Sequence, residues 1–205
     1  MSDRDPALIE GFFDCSCVWA WLAFEHAGWF AEQAGVAIRW RPVLAKDVFA
    51  QVNRAVHWPL PEAKQAYYAK DLPLWADYLG LALADDLPEP EDMIPCMLAC
   101  VAAGRWGRLE AFAGGAMAGA FTHGRDLGDR AVLSKIWSEA GLPPATFEEG
   151  LAWPDIAAEL AANTRELMER GGFGVPTFFL GDAMFFGNDS LPLLERAVAV
   201  REMTG

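Results

Sequence analysis

The sequence predicts an α/β fold in which a small sheet is interrupted by a large all-helical insertion. Three observations predict it. A strand, turn, helix and second strand open the chain. A proline-led apolar hairpin followed by a helix closes it. Between them, from Leu44 to about Arg170, the pattern is almost purely helical.

Residues 1–8 are polar and read as a frayed start. The apolar run through Phe12 and Phe13 suits a buried strand ending at the turn Asp14-Cys15-Ser16-Cys17. Helical spacing then runs from Val18 to Ala34, and Gly35 closes the helix in the left-handed conformation that glycine adopts readily. Val36–Val43 alternates as a strand does. A β-α-β unit of this kind has parallel strands and a right-handed crossover. Val48, Phe49 and Val52 read as a short apolar edge before the Trp58–Pro61 break, and Glu62–Leu79 as a long amphipathic helix stopped at Gly80. Asp85–Pro95 reads as loop, and Cys96–Gly104, Trp106–Thr122, Asp129–Ala140 and Trp153–Arg170 as helices. Thr177–Leu180 and Met184–Phe186 form a hairpin around Gly181-Asp182, and Leu191–Met203 is the closing helix. This divides the chain into residues 9–44 plus 171–205 as one domain, and 45–170 as an inserted helical domain.

Totals narrow the function. A chain of 205 residues buries a sizeable core without staples. A net charge of −13 argues against nucleic acid or an anionic membrane as partner, because both demand a basic face. No secretory signal or bilayer-length apolar run is visible, so a reducing cytoplasm is expected and the four cysteines read as thiols.

Two stretches carry the chemistry. Cys15, Ser16 and Cys17 occupy a strand-to-helix turn, where free amides and the helix dipole favour a thiolate. The alternative is that Cys15 and Cys17 are small buried hydrophobes. The second stretch is Gly171-Gly172-Phe173-Gly174-Val175-Pro176-Thr177-Phe178. Its proline fits the first residue of a strand, where a cis Val-Pro bond is a deliberate feature. Cys96 and Cys100 stand one helical turn apart, but Met97, Leu98 and Val101 around them read as core, so no metal is expected. His26, His57 and His123 lack metal-ligand spacing.

Together the turn and Val175-Pro176-Thr177 resemble the thioredoxin superfamily, in the branch of DsbA-type oxidoreductases, kappa-class glutathione transferases and 2-hydroxychromene-2-carboxylate isomerases. The isomerase family's pattern is matched by Asp14, Trp21 and Leu22, by Arg41, Pro42 and Leu44, and by Asn53. It is matched again by Asn163-Thr164, Gly171–Phe178 and Phe185-Phe186-Gly187-Asn188-Asp189. The resemblance implies a thioredoxin-like fold whose helical insertion covers the active-site turn. It also implies glutathione as co-substrate or catalyst, a small aromatic carboxylate as substrate, no metal, and allows a homodimer.

By the same resemblance, Cys17 stands where the isomerases carry a Ser that holds the glutathione sulfur as thiolate, and where DsbA-type enzymes carry their nucleophile. Ala20 occupies the resolving-cysteine position, Val18 that of the family's proline, and Ser190 that of an Arg. Ser16 is a second candidate hydroxyl. Asn53 would reach into the pocket, Val175 and Pro176 would present backbone to the cysteinyl part of glutathione, and Asn188 and Asp189 would meet its γ-glutamyl end. Trp19, Trp58, Trp75 and Trp106 are candidates for an aromatic wall, and Arg54, Lys64 and Lys70 for a substrate carboxylate. Three functions follow: a glutathione-dependent isomerase, a DsbA-like or kappa-like thiol oxidoreductase or transferase working through Cys17, or a non-catalytic binding module of the same fold.

Overall fold

The computed structural model describes residues 8–52, 61–87 and 92–204. Strand β1 (Leu8–Phe13) lies parallel to β2 (Ala37–Pro42), joined by helix α1 (Val18–Ala34). The chain then runs through helices α2 (Ala45–Val52), α3 (Glu62–Tyr78), α4 (Ile94–Arg105), α5 (Leu109–His123), α6 (Arg130–Glu139), α7 (Phe147–Leu151) and α8 (Ile156–Glu169). It returns to the sheet as the hairpin β3 (Thr177–Leu180) and β4 (Ala183–Phe186), and ends in α9 (Leu191–Thr204). The strand order is β2-β1-β3-β4, with β3 antiparallel to both β1 and β4. No described helix is long and apolar enough to cross a membrane.

The alternation of β1 divides two cores. Ile9 and Phe13 face the larger one, with α1, α4, α5 and α9. Phe12 faces the smaller one with Val43, Val48, Leu167 and Phe179. Beneath the first core, Trp40 stacks on Phe24 at 4.1 Å and meets Phe13 and Phe178 edge-on. Gly11 lies directly under this ring: a Cβ there would come within 2.7 Å of Trp40. The strand therefore needs its glycine for close approach.

On the opposite face the resembled motif residues hold α8 to the sheet. Arg41 donates to Asn163 at 2.9 Å, to Glu10 at 3.0 Å and to Glu166. The Asn163 amide donates to the Pro42 carbonyl at 3.2 Å, and Leu44 N–H donates to the Thr164 hydroxyl at 3.1 Å. Arg170 completes the network, bonding Glu10 at 2.7 Å and lying 3.8 Å over the Phe179 ring.

Several elements differ from the sequence expectation. Leu8 starts β1 rather than a frayed tail, and α4 begins at Ile94, with Pro95 in its first turn where a missing N–H does no harm. Val48, Phe49 and Val52, read as a short apolar edge, lie on helix α2, within the helical stretch expected from Leu44. Two amides at the start of α2 are met from afar: Leu44 N–H by Thr164, and Ala45 N–H by Asp14 at 2.8 Å. Helix α3 is less amphipathic than its pattern suggests, since only Ala76 is buried. The region before α8 holds the short helix α7, and α8 itself starts at Ile156.

Candidate active site

Where β1 ends, Asp14 organises the turn. Its buried carboxylate accepts the Ser16 amide at 2.9 Å, the Ser16 hydroxyl at 2.8 Å and the Ala45 amide at 2.8 Å. Burial pushes this carboxyl above its usual range, while the amides of Ser16 and Ala45 pull it back. The Ser16 hydroxyl is thus directed at Asp14 and shapes the turn.

Cys17 is the N-cap of α1, in extended conformation, and its carbonyl accepts the Trp21 amide at 3.1 Å. The thiol lies 3.6 Å from the Val175 carbonyl oxygen, as donor to acceptor. Residues 158 apart in the chain are brought together here, and the Val175–Pro176 bond is cis. The expectation of a stabilised thiolate is overturned. Burial is the largest influence and the Asp14 charge adds to it; together they outweigh the pull of the Ala20 and Trp19 amides. The Cys17 thiol is pushed up from 9.0 to about 11. The helix N-terminus is present as foreseen, but desolvation of the charged form wins.

Cys15 points away from Cys17. It is fully buried, with its Sγ 3.7 Å from that of Cys100. A Cys15–Cys17 pair is therefore not assembled, and all four cysteines are free thiols.

Beyond the proline, Gly187 N–H donates to the Pro176 carbonyl at 2.9 Å, which ties the end of β4 to the cis-proline. A short 3-10 turn over Asn188–Ser190 then leads into α9. Asn188 is 3% exposed, yet neither its side-chain oxygen nor its nitrogen has a hydrogen-bond partner among the described residues. Asp189 is exposed beside it. The Ser190 hydroxyl donates to the Gly187 carbonyl at 2.9 Å, so this side chain, standing where the resembled family has Arg, is engaged by backbone.

Val175, Pro176, Gly187, Asn188 and Asp189 line one side of a cavity of about 480 Å³, and Trp19, Tyr67, Tyr68, Asp71 and Trp75 the other; Cys17 and Ser16 are not among its lining residues, and Cys17 meets this wall through the Val175 carbonyl. Trp19 and Tyr68 are in ring contact at 5.4 Å, and Lys64 lies 5.5 Å from the Tyr68 ring centre. A second hollow of about 370 Å³ shares Trp75 and Asp71 with it but includes none of Cys17, Val175, Pro176, Asn188 and Asp189. Of the four candidate tryptophans, Trp19 and Trp75 reach the cavity, whereas Trp106 stacks on Trp153 at 4.6 Å, away from it. Asn53, Arg54, His57 and Trp58 lie outside the described residues. Sequence reasoning missed Tyr67, Tyr68 and Asp71; nothing in the local pattern of α3 distinguishes them from other exposed polar-face residues.

A model of the DSBA-like thioredoxin domain family matches residues 8–199. The chain is 28% identical over 208 residues to a 2-hydroxychromene-2-carboxylate isomerase of Pseudomonas putida, covering 93% of this chain and 94% of the relative. The solved structure of a 2-hydroxychromene-2-carboxylate isomerase superposes with a TM-score of 0.83 at 23% identity, over 94% of each chain. The cytosolic disulfide reductase DsbM from Pseudomonas aeruginosa with GSH superposes with a TM-score of 0.65 at 20% identity, over 96% of this chain and 98% of the other. With a mixed four-stranded sheet, a cis-proline facing a cysteine turn, and a family match across nearly its whole length, this chain belongs to the DSBA-like thioredoxin domain family.

Proposed function

We propose that the chain is a glutathione-dependent isomerase of the 2-hydroxychromene-2-carboxylate isomerase type, acting on an aromatic catabolite. The observation that carries this reading is Cys17. It is a protonated thiol at a helix N-terminus, facing the carbonyl that precedes the cis-proline, with no second thiol beside it. A thiol kept neutral is a hydrogen-bond donor, as the Ser of the resembled isomerases is.

The cavity suits glutathione by its chemistry. The Val175 backbone can pair with a cysteinyl amide, the unpartnered buried Asn188 amide offers both a donor and an acceptor, and the Asp189 carboxylate can meet an ammonium. Buried polar groups without partners are uncommon and point to a ligand or water. Glutathione, when bound, supplies a thiolate that adds reversibly to a conjugated double bond, so that the bond can rotate before elimination restores it. The chain's own part is to donate the Cys17 S–H to the thiolate sulfur, to hold the γ-glutamyl end through Asn188 and Asp189, and to hold an aromatic ring against Trp19, Tyr68 and Trp75.

The oxidoreductase reading fares worse. A dithiol exchange needs a low-pKa thiol and a resolving partner. Cys17 has its pKa raised, Ala20 stands at the partner position, and Cys15 faces the core. Calorimetric titration with reduced glutathione, followed by an ultraviolet assay of chromene-carboxylate isomerisation, tests the proposal. Saturable binding with turnover is expected. Absence of saturable binding sinks the glutathione-dependent reading and leaves the binding module.

A further inference from the structure

Behind the candidate site lies a second sulfur cluster that the proposed reaction does not use. Cys15 leaves β1 pointing into the larger core, where Cys96 and Cys100, one turn apart on α4, point back at it. The three Sγ atoms all lie within 4.8 Å of one another, and each residue is 0% exposed. Met97 adds a fourth sulfur close by, accepting the Cys15 amide at 3.4 Å. Cys15 and Cys100 are 85 residues apart in sequence, so the convergence comes from the fold and not from a local motif.

We infer that Cys15, Cys96 and Cys100 form a binding site for a soft, thiophilic metal ion. Size, softness and charge agree. Metal–thiolate bonds of about 2.3 Å set ligand sulfurs roughly 3.8–4.0 Å apart in tetrahedral or trigonal arrangements. Cys15 and Cys100 stand at 3.7 Å and no pair exceeds 4.8 Å, so loading needs a contraction of at most about one ångström. Every donor is a thiol or a thioether, which selects soft cations over calcium, magnesium or manganese. The surroundings are largely apolar, with the buried Asp14 carboxylate nearby, so unpaired thiolates are costly, and a bound divalent cation offsets two of the three thiolate charges. Each ligating thiol gives its proton to the buffer as its sulfur–metal bond forms. Since Cys15 is two residues before Cys17, a bound ion also tethers the active-site turn to α4.

The test uses Cd(II) as probe on the reduced, metal-stripped full chain carrying Cys17→Ala, which leaves the buried cluster intact. The thiolate-to-cadmium charge-transfer band is followed during titration, together with the thermal unfolding midpoint. The expected result is a band that saturates at one ion per chain, with a rise in the midpoint on loading. The double variant Cys17→Ala/Cys100→Ala, checked for folding by circular dichroism, should lose the band. If the double variant does not fold, the stoichiometry and midpoint rise of Cys17→Ala alone decide, because ions captured by unfolded cysteines lower the midpoint. No saturating band in Cys17→Ala, a band without a midpoint rise, or a band surviving in the folded double variant overturns the inference.

Discussion

Alkylation of Cys17 as a function of pH separates the two thiol chemistries most directly. With its pKa at about 11, the thiolate share at pH 7 is about one in ten thousand, against about one in a hundred for a thiol at 9.0. The thiolate is the reactive form. Carboxamidomethylation at pH 7 should therefore run about 100-fold slower than for an unperturbed thiol, and rise about tenfold per pH unit up to pH 10. Mass spectrometry assigns the label, and only Cys17 should take it, since Cys15, Cys96 and Cys100 are 0% exposed. A rate that levels off at or below neutral pH refutes the reasoning, because it means that the helix N-terminus outweighs burial and the Asp14 charge. The same logic fixes the mutant pair. Cys17→Ser keeps a donor at the site and should hold isomerase activity within about tenfold, whereas Cys17→Ala removes it and should lose about 10²-fold, the effect of deleting one preorganised donor. Equal loss in both variants assigns Cys17 as a nucleophile instead. The folded chain holds the Cys17 proton more tightly than the unfolded one does. Its contribution to stability is complete below about pH 9 and is lost as the pH rises towards 11, which urea titrations across that range will register.

Asp189→Ala should weaken glutathione binding by about fivefold, a single exposed charge interaction of about 1 kcal/mol, with an unchanged unfolding midpoint, since Asp189 is exposed; calorimetry and thermal melts check this. Gly11→Ala should destabilise the chain by about 1–3 kcal/mol in urea unfolding, because its Cβ would stand 2.7 Å from the Trp40 ring. Arg41→Ala should cost about 3 kcal/mol and leave glutathione affinity unaltered. It strips partners from Glu10, Asn163 and Glu166, none of which lines the cavity. Asp14→Ala should lower both stability and activity, because it frees the Ser16 amide and hydroxyl and the start of α2; a wild-type turnover in the folded variant would show that the turn does not need Asp14.

The sequence by itself determined the elements whose causes are local. Helix α1 ends at Gly35 because glycine takes the φ of 68° found there, and the hairpin turns at Gly181, φ 61°, between two apolar runs. The order of segments was enough to imply the fold, because Asp14, Arg41, Asn163 and Pro176 carry the resemblance in chain order. Tertiary structure alone decided what depends on distant groups. Helix α2 read only as a short apolar edge, with no visible start, because its capping partners, Asp14 and Thr164, lie 31 and 120 residues from the amides they bind. The protonation of Cys17 was misread because a helix N-terminus is visible in sequence, whereas the burial that opposes it is a property of the packed molecule. The three-thiol cluster was invisible for the same reason: Cys96 and Cys100 look like core on their own helix, and only the parallel pairing of β1 with β2 and the packing of α4 beneath the turn carry Cys15 to them.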